Sequence, residues 1–144
     1  MSDQPIRPPE KGMIAEEARR ARADLGDGDA VLMPCVGAVS GREEIIIVLA
    51  EAAAEELAGV LGHFGGSLAV AIFAAVTLTE LSAADIAAVT GSDEESVRHE
   101  IVRLESEGFL YRQQIGDTPY FAAGNPPLKR YFAKRFAPAY RNHP

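Results

Sequence analysis

The sequence predicts a mainly α fold with one small β-hairpin. Apolar residues recur at helical spacing in several segments, and glycines or capping residues separate these segments from one another. One pair of short segments flanks Gly116 and Asp117, which is typical of a two-residue hairpin turn. The chain has 144 residues, of which 47% are hydrophobic and 24% are charged, so we expect one folded domain with a real core.

The N-terminal part is expected to contain an arm, a helix and an extended segment. Residues 1–11 are polar and rich in proline, residues 12–25 have helix-forming composition, and residues 30–39 are apolar. Pro34 has no N–H group for a ladder hydrogen bond, so the apolar segment is not expected at the centre of a sheet. The predicted organisation is an N-terminal unit at 1–39, a main domain at 40–136 and a tail at 137–144.

A long helix is predicted over residues 43–62. Ser40 and Glu43 have the spacing of a capping box, and apolar residues then recur at helical spacing. Residues 45–49 are all apolar, and a helix would present such a run on every side. Because a domain this small cannot cover the whole run, we expect a second copy of the chain to cover it. The residues expected in this homodimer interface are Ile45, Ile46, Leu49, Ala53 and Leu57.

Residues 79–122 carry the most informative pattern. A short helix ends at Gly91, a longer helix begins after Ser92, and the hairpin follows. The order of helix, tight turn, helix and hairpin is typical of a winged helix-turn-helix, which places its second helix in the major groove of DNA. That second helix, however, begins with three acidic residues at positions 93–95.

Only the C-terminal third of the chain has a net positive charge. Residues 1–91 hold six bases and 14 acids, a net −8, whereas residues 92–144 hold eight bases and seven acids, a net +1. Because phosphate contact needs a positive surface, a DNA-facing surface is expected in this third. The bases that follow the last acid, Asp117, are Lys129, Arg130, Lys134, Arg135 and Arg141.

Residues 64–123 resemble the winged-helix core of the ArsR/SmtB-type bacterial repressors, with MarR-type regulators as the second choice. The short hairpin favours the ArsR type, because MarR wings are generally longer. The resemblance implies a homodimer that binds a palindromic double-stranded DNA operator and releases it when a small-molecule or redox inducer binds. The residues that carry it are Leu81, Asp85, Ile86, Ala87, the Thr-Gly-Ser sequence at 90–92, Val97, Arg98, His99, Ile101, Leu104, Gly108, Phe109 and Leu110.

Two departures from that family concern metal sensing. Metal-sensing members carry a pair of cysteines in the helix before the second helix of the motif, where this chain has Ser82, Ala83 and Ala84. The C-terminal helix also lacks the family's cluster of His, Asp and Glu residues. We therefore expect neither a metal ion nor another cofactor.

The candidate DNA contacts lie on the second helix of the motif and on the hairpin. Arg98 and His99 fall in the first two turns of the helix, the part that enters the groove. The alternative for Arg98 is a solvated helix face, where it pairs with Glu94 or Glu95. The expected DNA-binding residues are Ser92, Ser96, Arg98, His99, Arg103, Arg112 and Gln114.

The single cysteine, Cys35, is a candidate redox residue. The alternative is a small buried apolar residue, because no base that would lower its pKa lies between Arg22 and Arg42. One cysteine cannot form an intramolecular disulfide, which is typical of a cytoplasmic protein. The longest apolar run, 68–78, is shorter than the roughly 20 residues that a membrane-spanning helix needs, so no membrane association is expected.

No enzyme activity is expected, because neither a glycine-rich phosphate loop nor a nucleophile–base pair is recognisable, and no catalytic residue is assigned. The predicted function is a dimeric, sequence-specific transcriptional regulator that acts as a repressor. The alternative is a winged-helix module for protein–protein interaction, with weak or no DNA binding. These two functions differ in whether the acidic start of the second helix faces DNA.

Overall fold

The computed structural model describes residues 13–26 and 28–138, and this part of the chain is a mixed α and β fold with six helices and two antiparallel hairpins. The predicted arm at 1–11 and the end of the predicted tail, including Arg141, lie outside the described residues. A 3-10 turn, Gly62–Phe64, joins the second helix to the third. The elements are α1 (Met13–Ala23), β1 (Ala30–Val36), β2 (Glu43–Leu49), α2 (Glu51–Leu61), α3 (Ser67–Ala75), α4 (Ala83–Thr90), α5 (Glu94–Ser106), β3 (Leu110–Ile115), β4 (Thr118–Ala123) and α6 (Pro126–Phe136).

The predicted helix over 43–62 is wrong in its first half. Its first seven residues form β2, which pairs with β1 so that Met33 lies opposite Ile46, and only α2 is helical. The run is rich in isoleucine and valine, whose branched side chains favour a strand when a partner strand is present. The expected capping box is instead the turn between the strands, where Gly41 has φ +70° and the Ser40 hydroxyl oxygen accepts the Arg42 N–H at 3.0 Å.

The residues assigned to the dimer interface lie inside a single chain. Ile46, Leu49, Ala53 and Leu57 are buried, and Ile45 is partly buried. Both β1 and α3 pack against β2, so the apolar run is covered without a second copy. The reason for placing these residues between two subunits is therefore removed, while the homodimer itself stays a prediction.

The N-terminal unit and the main domain share one hydrophobic core. The predicted boundary between residues 39 and 40 falls in the turn that joins β1 to β2. In addition, α1 of the predicted N-terminal unit packs against α4 of the predicted main domain through the buried side chains of Ile14, Ala18 and Ala21. The centre of the core is α3, on which Ile72 and Phe73 are fully buried.

The two helices of the motif and the turn between them form as predicted. Ser82 caps α4 by accepting the Asp85 N–H at 3.2 Å. The helix ends at Gly91, whose φ of +72° is a left-handed conformation that glycine adopts without strain. The cap of α5 is Asp93, one residue after the expected Ser92, and its carboxylate accepts the Ser96 N–H at 2.9 Å.

The C-terminal hairpin also forms as predicted around Gly116 and Asp117, but most of β3 is exposed. Leu110 and Phe121 are buried at its base, whereas Tyr111 is 50% exposed and Ile115 is exposed as well. The outer part of the hairpin is not covered by any of the described helices, so its side chains are accessible to a partner molecule.

Among the described residues, no single helix combines the length and the apolar character needed to cross a membrane.

Candidate nucleic-acid interface

The exposed face of α5 carries three of the predicted DNA contacts. Val97, Ile101 and Leu104 are buried on its inner face, and the side chains of Ser96, Arg98 and His99 lie on the exposed side of its first turns. The Ser96 hydroxyl donates to the Asp93 carboxylate at 2.9 Å. These two hydrogen bonds from Ser96, through its N–H and its hydroxyl, hold the pKa of the Asp93 carboxyl below its usual value. Ser92 is only partly exposed, in the turn that precedes the helix.

Arg98 is paired with an acid of its own helix. Its Nε lies 3.0 Å from Oε2 of Glu94, one turn earlier, and the arginine side chain remains 60% exposed. The ion pair with Glu94, the alternative expected from the sequence, is thus present in the free chain. An exposed pair of this spacing contributes only about 0.3–0.5 kcal/mol, whereas a good bidentate base contact is worth about 1–3 kcal/mol. The ion pair therefore does not prevent Arg98 from contacting a base.

The guanidinium of Arg103 is held in place by hydrogen bonds within the protein. Its guanidinium donates to the Phe64 carbonyl at 2.9 Å and to Glu107 at 3.2 Å, and it is also hydrogen-bonded to Glu100. The bond to Glu100 is the main reason why the pKa of Arg103 is raised. The side chain is 34% exposed and ties α5 to the 3-10 turn. Contact with DNA would break several hydrogen bonds, so we leave Arg103 out of the interface.

Arg112 and Gln114 lie on β3 of the projecting hairpin. Both oxygens of Glu105 accept hydrogen bonds from Arg112, at 2.9 and 3.1 Å, and these bonds raise the pKa of the guanidinium. The guanidinium also stacks over the Phe121 ring, 5.3 Å from its centroid. This bidentate pair joins the hairpin to α5 and fixes the angle between them. Gln114 is exposed near the hairpin turn, where its side chain donates to the Gly116 carbonyl.

The surface formed by α5 and the hairpin is acidic overall. Between residues 92 and 123 there are seven acids and three bases, a net −4, and each of the three arginines is bonded to glutamate. The positive residues of the C-terminal third lie mainly on α6. Within the described part of the chain, none of the four α6 bases has a carboxylate at ion-pair distance. These bases are Lys129, Arg130, Lys134 and Arg135.

A polar cleft of about 360 Å³ lies between the starts of α4 and α5 and the tip of the hairpin. Among the described residues, its charged lining is formed by Asp85, Glu94, Asp117 and Arg98. The cleft adjoins the predicted DNA contacts. Its excess of acids favours a cationic group over a phosphate.

A second, apolar groove of about 640 Å³ lies between the end of α2, the end of α5 and the start of α6. Val60 on α2 is 71% exposed at its edge, and Tyr131 on α6 is also exposed. Isolated exposed apolar side chains are common, but these two border one continuous apolar surface. The groove is lined by Val60, Leu61, His63, Phe64, Glu107, Phe109, Asn125, Pro127, Leu128 and Tyr131.

The structure favours the buried interpretation of Cys35. Its thiol lies 3.6 Å from the Thr79 hydroxyl, which in turn donates to the Glu44 carboxylate at 2.6 Å. Burial raises the pKa of Cys35 to about 11, and the neighbouring carboxylates of Glu44 and Glu80 act in the same direction. The pKa of Glu80 is itself raised, first by burial and then by Glu44. Only the hydrogen bond with Thr79 acts to lower the pKa of the thiol, and burial outweighs it.

We expect Cys35 to react very slowly with a thiol reagent in the folded protein. A pKa of about 11 lowers the thiolate fraction at pH 8 roughly a hundredfold, and burial restricts access further. Labelling with a chromogenic disulfide at pH 8, carried out with and without urea, measures the reactivity of the thiol in the unfolded and in the folded protein. Complete labelling should require the denaturant. Labelling within minutes under native conditions would contradict the buried assignment and restore a redox role.

Within the described residues, no group of three or more His, Cys, Asp or Glu side chains is arranged to hold a metal ion. No protein-family model matches the chain, and no curated protein matches it. The function is therefore inferred from the geometry and charge of the described surfaces.

Proposed function

We propose that the chain is a sequence-specific DNA-binding transcriptional regulator, a homodimeric repressor of the ArsR-like winged helix-turn-helix type. The observation that carries the proposal is the arrangement of α4, the turn at Gly91, α5 and the projecting hairpin. In DNA-binding modules of this kind the second helix enters the major groove by its first turns. The exposed start of α5 fits that role, and the exposed hairpin beside it fits a contact with the DNA backbone.

In the proposed complex, Ser96, Arg98 and His99 face base edges, and Arg112 and Gln114 contact the backbone. The ion pair of Arg98 is exposed and weak, so a base edge can displace Glu94 at small cost, whereas Arg112 would have to release the bidentate carboxylate of Glu105. The acids at 93–95 are exposed, and their charges repel the DNA backbone. Binding is accordingly weak and strongly dependent on salt.

The test is binding to a labelled duplex taken from the DNA upstream of the chain's own gene. Fluorescence anisotropy, measured across a salt series and beside a scrambled duplex of equal length, separates specific from non-specific binding. We expect tighter binding to the upstream duplex, with the logarithm of affinity falling linearly with the logarithm of salt concentration. Equal binding to both duplexes at every salt concentration would contradict sequence-specific regulation.

The second candidate is a module that binds a basic protein segment, and the acidic cleft beside Arg98 favours it. The net −4 of α5 and the hairpin attracts a cationic partner as strongly as it repels phosphate. Titration with a lysine-rich peptide in low salt distinguishes the two functions. Peptide binding that is lost in a Glu94→Gln, Asp117→Asn double variant, together with no binding to any duplex, supports this second candidate.

The proposed homodimer is assigned to α2 and α6 instead of β2. The exposed face of α2 carries Glu55, Glu56 and Val60, and the exposed face of α6 carries Tyr131 and Lys134. One face is acidic, the other is basic, and both border the apolar groove. In a two-fold dimer, α2 of each copy meets α6 of the other, so the opposite charges pair twice.

We expect Val60→Asp to convert the dimer into a monomer. The aspartate would remove the apolar contact of Val60 at the groove and add a charge that must be desolvated when the two copies associate. Light scattering at micromolar concentration measures the mass. The matched control is Val102→Asp, another exposed valine on a helix, which lies on α5 outside the groove and should leave the dimer intact. A wild-type monomer, or a Val60→Asp dimer, would refute this surface.

A further inference from the structure

The first helix reaches the turn of the motif through one side chain. Arg22, in the last turn of α1, donates from Nη1 to the Val89 carbonyl at 3.2 Å. That carbonyl belongs to the last turn of α4, where the helix leaves its final carbonyls without helical partners and favours a cation. The two residues are 67 positions apart in the sequence. This contact makes α1 part of the support for the two-helix motif.

The guanidinium also packs directly against the turn glycine. A Cβ atom at Gly91 would lie 2.9 Å from Nε and 3.0 Å from Cζ of Arg22. Glycine at this position therefore serves two purposes, because φ is +72° and because the guanidinium occupies the space beside it. The side chain and the turn are fitted to each other.

The conformation of this turn determines where α5 begins. Two backbone hydrogen bonds close the end of α4, from Gly91 to Ala88 at 3.3 Å and from Ser92 to Ala87 at 3.1 Å. The capping residue of α5, Asp93, follows at once. A change at the turn is carried directly into the direction of α5 because only three residues, 91–93, separate the two helices.

We propose that Arg22 is a positioning residue, which fixes the turn at 90–92 and thereby the direction in which α5 leaves α4. The expected effect of Arg22 on DNA binding rests on the proposed function, whereas its effect on the turn does not. Arg22 lies on α1, outside the DNA-facing surface, so it acts through Gly91 and not by touching the operator. Through Arg22, α1 then influences the affinity of the protein for the operator.

Arg22→Met tests the proposal, since methionine keeps much of the length and apolar character of the stem but has no donor. Amide hydrogen exchange at Gly91 and Ser92 should become about three to ten times faster, the effect of losing one hydrogen bond of ordinary strength. Residual dipolar couplings should report a changed angle between α4 and α5. Arg22→Lys keeps the charge and should fall between the two, and Arg20→Met, on the exposed side of the same helix, should match the wild type.

Measurements of operator binding distinguish a positioning role of Arg22 from a general effect on stability. Affinity of Arg22→Met should fall several-fold while the slope of affinity against salt stays the same, because no phosphate contact is lost. A slope smaller by about one would overturn the proposal and make Arg22 a phosphate contact. Unchanged exchange and unchanged couplings would overturn it equally. A wild-type chain that binds no operator would refute only the proposed function, because exchange and couplings are measured on the free protein.

Discussion

Phe132→Ala is expected to lower the free energy of unfolding by about 3–5 kcal/mol, as truncation of a buried aromatic ring usually does. Phe132 is fully buried, and its ring centroid lies 4.7 Å from that of Phe73 on α3 and 5.9 Å from that of Phe136. The rings pack at tilted angles, so alanine would remove both apolar contact and aromatic pairing. Because Phe132 is the fully buried residue of α6, its loss should also loosen that helix.

Urea denaturation followed by circular dichroism measures this effect, at one fixed protein concentration because a dimer would make stability depend on concentration. The matched control is Tyr111→Ala, which truncates an exposed aromatic residue on the hairpin. That change should cost about 1 kcal/mol or less. Equal losses in the two variants would contradict the assignment of Phe132 to the core. A Phe132→Leu variant should retain much of the stability if the loss arises from lost apolar contact.

The parts of the fold that could be predicted are those with local causes. The turns at Gly91 and at Gly116–Asp117 depend on a few neighbouring residues, and both form as predicted. Even the misplaced cap of α5 is wrong by only one residue, because Asp93 competes with Ser92 for the same N–H groups.

The segment at 45–49 could not be predicted in this way. An apolar run of this length suits a buried strand and a buried helix equally well, and spacing alone does not distinguish them. The choice is made by β1, whose residues 30–36 pair along the whole of β2. That pairing also removes the reason for expecting a second copy at this segment, since a strand covered by its own chain needs none.

The candidate site shows the same division between local and distant causes. The pair of Arg98 and Glu94 could be expected, because residues four apart are neighbours on a helix surface. The bonds from Arg103 to Phe64 and from Arg22 to Val89 could not, because they join residues 39 and 67 positions apart. Both use an arginine to hold α5 or its turn, so part of the positive charge has a structural role.

Arg98→Ala is expected to weaken operator binding by about 1–3 kcal/mol, the usual worth of a good base contact. The ion pair with Glu94 offsets little of this, since an exposed pair contributes well under 1 kcal/mol. Glu94→Gln should have the opposite effect and tighten binding. It releases the guanidinium and removes a negative charge from the first turn of α5.

Anisotropy at one fixed salt concentration compares these variants, with Arg19→Ala as the matched control. Arg19 is also exposed and paired within its helix, 3.7 Å from Glu16, but it lies on α1. A base contact should also relax the preference for one base pair of the operator, whereas a phosphate contact would weaken all sequences alike and lower the salt slope by about one. If Arg98→Ala binds the operator as the wild type does, α5 does not read the sequence. The acidic surface is then better explained by a basic protein partner.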